Sequence, residues 1–117
     1  MRSLALFTLL STAALAAILN VDVGKNGFTF SPDTLTAAVG DTVVFHFYPG
    51  SHSVAQSTFD SPCQPSSGGI WSGIFTPSNE EDGNVFEVPI NNTDSVWIYC
   101  AQIRHCNSGM AMVINSL

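Results

Sequence analysis

Val96-Trp-Ile-Tyr-Cys-Ala-Gln-Ile-Arg-His-Cys-Asn-Ser-Gly-Met110 is the stretch that decides how this chain is read. Its first four residues are β-branched or aromatic and predict a strand that delivers Cys100 to its end. A polar loop follows and returns His105 and then Met110, each five positions after the last. A thiolate, an imidazole and a thioether thus sit on one short loop. Joined by a second imidazole, they suit a mononuclear copper that passes between two oxidation states, because the sulfur donors favour the reduced ion while imidazole serves both.

The second imidazole has its best candidate in His52, within Tyr48-Pro-Gly-Ser-His-Ser-Val54. A Pro-Gly break precedes it, so loop backbone can aim the ring into a site at the end of a sheet. With His52-Ser-Val upstream and Cys100-x4-His105-Cys106-x3-Met110 downstream, the chain resembles the small blue-copper proteins, the cupredoxins. It is most similar to their phytocyanin-like branch, which includes secreted fungal proteins. The resemblance runs from about Val21 to Asn115. It implies an all-β, Greek-key antiparallel β-sandwich, one type 1 copper held by His52, Cys100, His105 and Met110, and one-electron transfer with no enzymatic step. It also puts one imidazole edge, that of His105, near the surface as the electron's exit. Ile103 and Pro49 are candidates for an apolar rim around that edge. Two departures stand out. Met110 occupies a position where some phytocyanins carry Gln, and Ser51 stands where many relatives use Asn to brace the site, which leaves open how the ligand loops are tied together.

There are three cysteines. If Cys100 is the metal thiolate, Cys63 and Cys106 remain to form a disulfide, as the resemblance also implies. Closing a loop of that span contributes about 4 kcal/mol in the chain-entropy model. An odd count suits an oxidising compartment in which one thiol has a separate task.

The first residues fit that compartment. Arg2, an apolar run and Ala14-x-Ala16 read as a secretory signal peptide cleaved near Ala16 or Ala17. The domains expected are a leader over 1–17 and a cupredoxin domain over 18–117. The apolar run is interrupted by Ser and Thr and is too short to span a bilayer. The expected protein is secreted or at the cell surface, a monomer without a transmembrane segment. Asn91-Asn-Thr93 is its single glycosylation sequon, with Asn91 as acceptor.

Length and charge narrow the function further. The 117 residues allow one modest core and no separate catalytic domain. A formal charge of −6 argues against a nucleic-acid partner. Acidity chiefly serves solubility, and Glu80-Glu-Asp82 is read as a solvated loop. A trinuclear copper cluster of the multicopper-oxidase kind needs paired His-x-His motifs, and none of the three histidines forms one. Structural zinc is disfavoured, since such sites use closely paired cysteines and seldom methionine. Two functions remain: electron transfer to an unknown redox protein, or extracellular copper storage, delivery or stress protection.

Along the rest of the chain, Val21–Val23, Phe28–Phe30, Thr34–Val39, Thr42–Tyr48, Asn84–Ile90 and Ala111–Ile114 read as extended segments. In the clearest of these, Val43, Phe45 and Phe47 share the core face, and His46 points away from it to a partly exposed position. Pro89 confines its strand to an edge or a terminus. The Ser-, Pro- and Gly-rich region from Ser57 to Glu81 predicts long loops with room for one helical turn, and within it Ile70–Phe75 should pack back onto the sandwich, Trp71 included.

Overall fold

A computed structural model describes residues 15–78 and 83–117. The signal-peptide reading, apart from its last three residues, and Glu80-Glu-Asp82 lie outside the described residues. Eight strands form: β1 Ile18–Val23, β2 Phe30–Ser31, β3 Thr34–Leu35, β4 Thr42–Phe47, β5 Ala55–Ser57, β6 Val85–Pro89, β7 Val96–Tyr99 and β8 Ala111–Ile114. They build two four-stranded sheets, ordered β2-β1-β4-β6 and β3-β8-β7-β5. The expected all-β sandwich is borne out, with no α-helix among the described residues.

Both sheets are mixed rather than wholly antiparallel. Strands β1 and β4 run parallel over six residue pairs from Ile18↔Thr42 to Val23↔Phe47, and β3 runs parallel to β8. A parallel pair needs a connection that leaves the sheet and returns. Here that connection carries β3 into the opposite sheet before β4 comes back beside β1. Alternation within a strand reports which face is buried and is blind to a neighbour's direction.

The core follows the alternation. Val21 and Val23 from β1 and Val43, Phe45 and Phe47 from β4 are fully buried. They meet Ile98, Met112 and Ile114 from the opposite sheet in one cluster that also contains Cys100 and Met110. Phe30 meets Phe45 edge to face, with ring centroids 6.4 Å apart. Burying a side chain of this size contributes about 1.5–3 kcal/mol, so Cys100 and Met110 are anchored in the buried core that both sheets share. His46 points away, is half-buried, and bonds Asn20 Oδ1 through Nε2 at 2.8 Å. Pro89 closes β6 opposite Thr42 on the sheet's edge, where its missing N–H costs no ladder bond.

Three local expectations need correction. Phe28 is not part of a strand: β2 begins only at Phe30, and Phe28 stands 48% exposed. The helical turn expected between Ser57 and Glu81 is absent among the described residues, and the one short 3-10 turn lies instead at Cys106–Ser108 in the ligand loop. The segment Ile70–Phe75 does pack back, with Phe75 stacked on Phe47 at 4.1 Å, yet Trp71 projects outward at 54% exposure. Backbone pairing explains the split, because Trp71 bridges Ala55 and leaves its indole on the outer side.

Candidate metal centre

Strand β7 delivers Cys100 into the core, where it is fully buried and unoxidised. The chain then turns back through the 3-10 segment to Gly109, which adopts φ +101°. A residue with a Cβ rarely takes that conformation, so the glycine makes the sharp return possible. Met110 N–H donates to His105 O, and Cys100 N–H donates to Met110 O, each at 3.1 Å. The loop is thereby closed on itself, and Met110 is buried with no exposed surface. The Cys63–Cys106 disulfide, with Cα atoms 5.8 Å apart, bridges 43 residues and ties the residue after His105 to the far loop.

His52 arrives from the other sheet connection. Its backbone exchanges two hydrogen bonds with Phe75, of 3.0 and 2.8 Å, and this pairing holds the loop that carries the ring. The ring itself is only 2% exposed. Its Nε2 edge lies against two glycines: a Cβ on Gly24 would stand 2.2 Å from Nε2, and one on Gly50 2.9 Å from it. Its other nitrogen, Nδ1, is buried with no hydrogen-bond partner among the described residues. A buried imidazole nitrogen left without a partner costs free energy unless something else binds its lone pair. That is an argument for a metal at this position.

The three donors converge. Ligand atoms of His52, Cys100 and His105 all lie within 4.8 Å of one another. Cys100 Sγ is 3.4 Å from His105 Nδ1, and the two imidazole centroids are 5.1 Å apart. Burial lowers the pKa of His52 below its ordinary value, an effect increased by the neighbouring His105 and opposed by Pro49 backbone. Burial also lowers that of His105. Both shifts favour the neutral ring, the form that ligates. With Met110 buried in the same core cluster as Cys100, the set of two imidazoles, a thiol and a thioether is consistent with a type 1 copper site.

The sequence reading missed three supports of this cluster. Phe28 stacks on His105, ring centroids 4.0 Å apart and planes 27° from parallel. Ser53, fully buried, accepts Ala101 N–H on its Oγ at 2.8 Å and so joins the His52 loop to the Cys100 loop. Ser51, where an Asn brace would have stood, instead bonds Thr76 at 3.1 Å on the surface. Gly24 is the third; its φ of +79° and its contact with His52 are invisible to a pattern of turn residues. A cleft of about 170 Å³ lined by Phe28, Pro49, Gly50 and both imidazoles opens the cluster toward solvent. Ile103 stands close by in sequence at 79% exposure. A larger groove, about 420 Å³ beside Trp71 and Tyr99, is lined by none of the four donors.

Known proteins resemble this chain in sequence and in fold. No protein-family profile matches the chain. It is 43% identical over 114 residues to an extracellular serine-rich protein of Arthroderma benhamiae, covering 92% of this chain and 44% of that protein. It is 37% identical over 113 residues to a probable GPI-anchored cupredoxin of the same organism, covering 94% and 58%. The chain thus spans about half the length of these curated relatives. Among solved structures, a Cu(I) amicyanin variant superposes with a TM-score of 0.59 at 13% identity, covering 83% of this chain and 79% of that one. Among the described residues, no helix is long and apolar enough to cross a membrane.

Proposed function

The chain carries a cupredoxin-like domain, and on that premise we propose that it is an extracellular one-electron carrier whose copper is held by His52, Cys100, His105 and Met110. The single observation that carries the reading is the convergence of two buried imidazoles and a buried free thiol within 4.8 Å, on loops fixed from both sides. Bound copper would supply the one-electron couple. The residues supply everything else: two neutral imidazoles, a thiolate and a thioether, exclusion of water, and loops that hold their positions whether or not the charge at their centre changes.

Rigidity favours a carrier over a store or courier. The Cys63–Cys106 disulfide, the Ser53–Ala101 bond and the His52–Phe75 backbone pair all immobilise the ligand loops. A courier works better with mobile or exposed donors that a recipient can displace one at a time. Here all four donor residues are less than 9% exposed. An oxygen-reducing enzyme is disfavoured because the three histidines form no His-x-His pair. The names of the relatives support an extracellular or cell-surface setting. Asn91 and Thr93 are exposed on the connection before β7 and support the sequon as a glycan site.

The test starts with the copper-loaded protein, which should be intensely blue when oxidised. Cys100→Ser should abolish the colour, and equal colour in both would refute the ligand set. Met110→Gln should keep the copper and lower the reduction potential, since an oxygen donor favours the oxidised ion more than a thioether does. Mixing the reduced protein with a strong chelator and, separately, with a small redox protein separates the two functions: fast electron exchange with slow metal loss is expected of a carrier, the reverse of a courier.

A further inference from the structure

Asp41 is a nearly buried carboxylate, 9% exposed, at the far side of β4 from the ligand loops. It has no part in the metal centre. One oxygen, Oδ2, accepts Ala38 N–H at 2.9 Å and so closes the turn that leads into β4. The other, Oδ1, reaches across to the segment before β1 and accepts Ala17 N–H at 2.9 Å. Ala17 O in turn accepts Thr42 N–H at 3.0 Å, which starts the β1–β4 ladder. Both backbone groups of Ala17 are therefore committed to the segment Asp41-Thr42.

The same residue stands at the end of the leader motif. Three peptide bonds compete as the cleavage point. Cleavage after Ala17 would place Leu15 third from the cut, where a small residue is required, and would take away both the donor to Asp41 and the acceptor for Thr42. Cleavage after Ala14 would leave Leu15 on the mature chain, where its side chain is 92% exposed to water. Cleavage after Ala16 puts Ala14 and Ala16 at the two small-residue positions and keeps both Ala17 bonds.

We propose that the mature chain begins at Ala17 and that its new α-ammonium group is captured by the Asp41 carboxylate, so that leader removal creates an ion pair locking β1 against β4. A nitrogen that bonds Asp41 as a neutral amide in the precursor bonds it as a cation afterwards, and a hydrogen bond to an ionised donor is the stronger kind. The carboxylate is already suited to this. The Ala17 and Ala38 N–H groups hold Asp41 below the usual carboxylate range, against the opposing effect of burial. Strand β1 supplies two fully buried core valines, Val21 and Val23, so fastening its first residue protects the sheet at an end where fraying would begin.

The experiment expresses the full chain with its own leader in a secreting yeast and determines the N-terminus of the secreted protein by Edman sequencing and intact mass. Ala17 as first residue is expected; Leu15, Ile18 or an uncleaved leader would each overturn the proposal. The second arm compares purified chains beginning at Ala17 and at Ile18, each with Asp41 and with Asp41→Asn. The Ala17 chain should melt higher than the Ile18 chain by on the order of 4 °C, and the gap should shrink in the Asn background and in 1 M salt. A gap unchanged by both would show that Ala17 acts through its peptide hydrogen bonds alone and would overturn the ion pair. Should the Asn variant fail to fold, the salt dependence of the wild-type gap decides alone.

Discussion

Ser53 Oγ accepts the Ala101 N–H at 2.8 Å, joining residues 48 positions apart in the chain and adjacent to His52 and Cys100. This bond answers how the two ligand loops are tied without an Asn at position 51. Ser53→Ala removes the acceptor and leaves the Ala101 N–H without its partner, a loss of about 1–3 kcal/mol. Chemical denaturation of the metal-free protein should show that loss. The copper-loaded variant should also release metal to a chelator faster than wild type, because the loops can now separate.

Gly24 and Gly27 form a matched pair, both at positive φ, +79° and +86°. A Cβ at Gly24 would collide with His52 Nε2 at 2.2 Å, whereas one at Gly27 meets nothing within 4 Å. Gly24→Ala should displace the imidazole and abolish or strongly weaken copper binding, measured by titration. Gly27→Ala carries only the backbone strain, on the order of 1 kcal/mol, and should bind copper as wild type does. Equal affinities in the two variants would show that the Gly24 contact does not position His52.

Phe28 shields one face of His105. Aromatic pairs of this kind contribute about 0.5–1.5 kcal/mol beyond burial. Phe28→Leu should therefore cost little stability while allowing the His105 ring more freedom. Faster copper loss to a competing chelator is the expected result, and Phe28→Tyr should restore the wild-type rate.

Acid stability should report Asp41. Its pKa is held below the ordinary 3.8 in the folded protein by the Ala17 and Ala38 amides. The unfolded chain thus takes up a proton first as pH falls, and stability is lost progressively from about the unfolded value downward through the folded one. Above that window the contribution is fully present. Urea unfolding between pH 6 and pH 2.5 should show a steeper acid loss in wild type than in Asp41→Asn, which starts lower and changes less.

The disulfide and the free thiol have separate roles. Replacing Cys63 and Cys106 together by Ala releases a loop closed across 43 residues and should cost about 4 kcal/mol in the entropic model. Cys100→Ser keeps the loop closed and should lose the colour instead. Non-reducing peptide mapping should recover the Cys63–Cys106 link and a free Cys100.

Much of this protein was determined by short-range pattern. The order Cys100, His105, Met110 on one loop after an apolar strand, with His52 after a Pro-Gly break, is chemistry written at fixed spacing, and any compact fold of that loop brings its donors near each other. The buried set Val43, Phe45 and Phe47 follows from period-two alternation, since successive side chains leave opposite faces of a strand. What the sequence could not decide are relationships between residues far apart in the chain. Strand direction is one, because alternation looks the same in a parallel and an antiparallel neighbour, and only the excursion of β3 to the second sheet makes β1 and β4 parallel. Phe28 is another: the same alternation that placed it in a strand has no access to the ring of His105, 77 residues on, which gives it a partner outside any strand. Ser53, Gly24 and the reach of Asp41 to Ala17 belong with these. Each depends on a distance across the fold, and such distances exist only once both sheets have closed over their shared core.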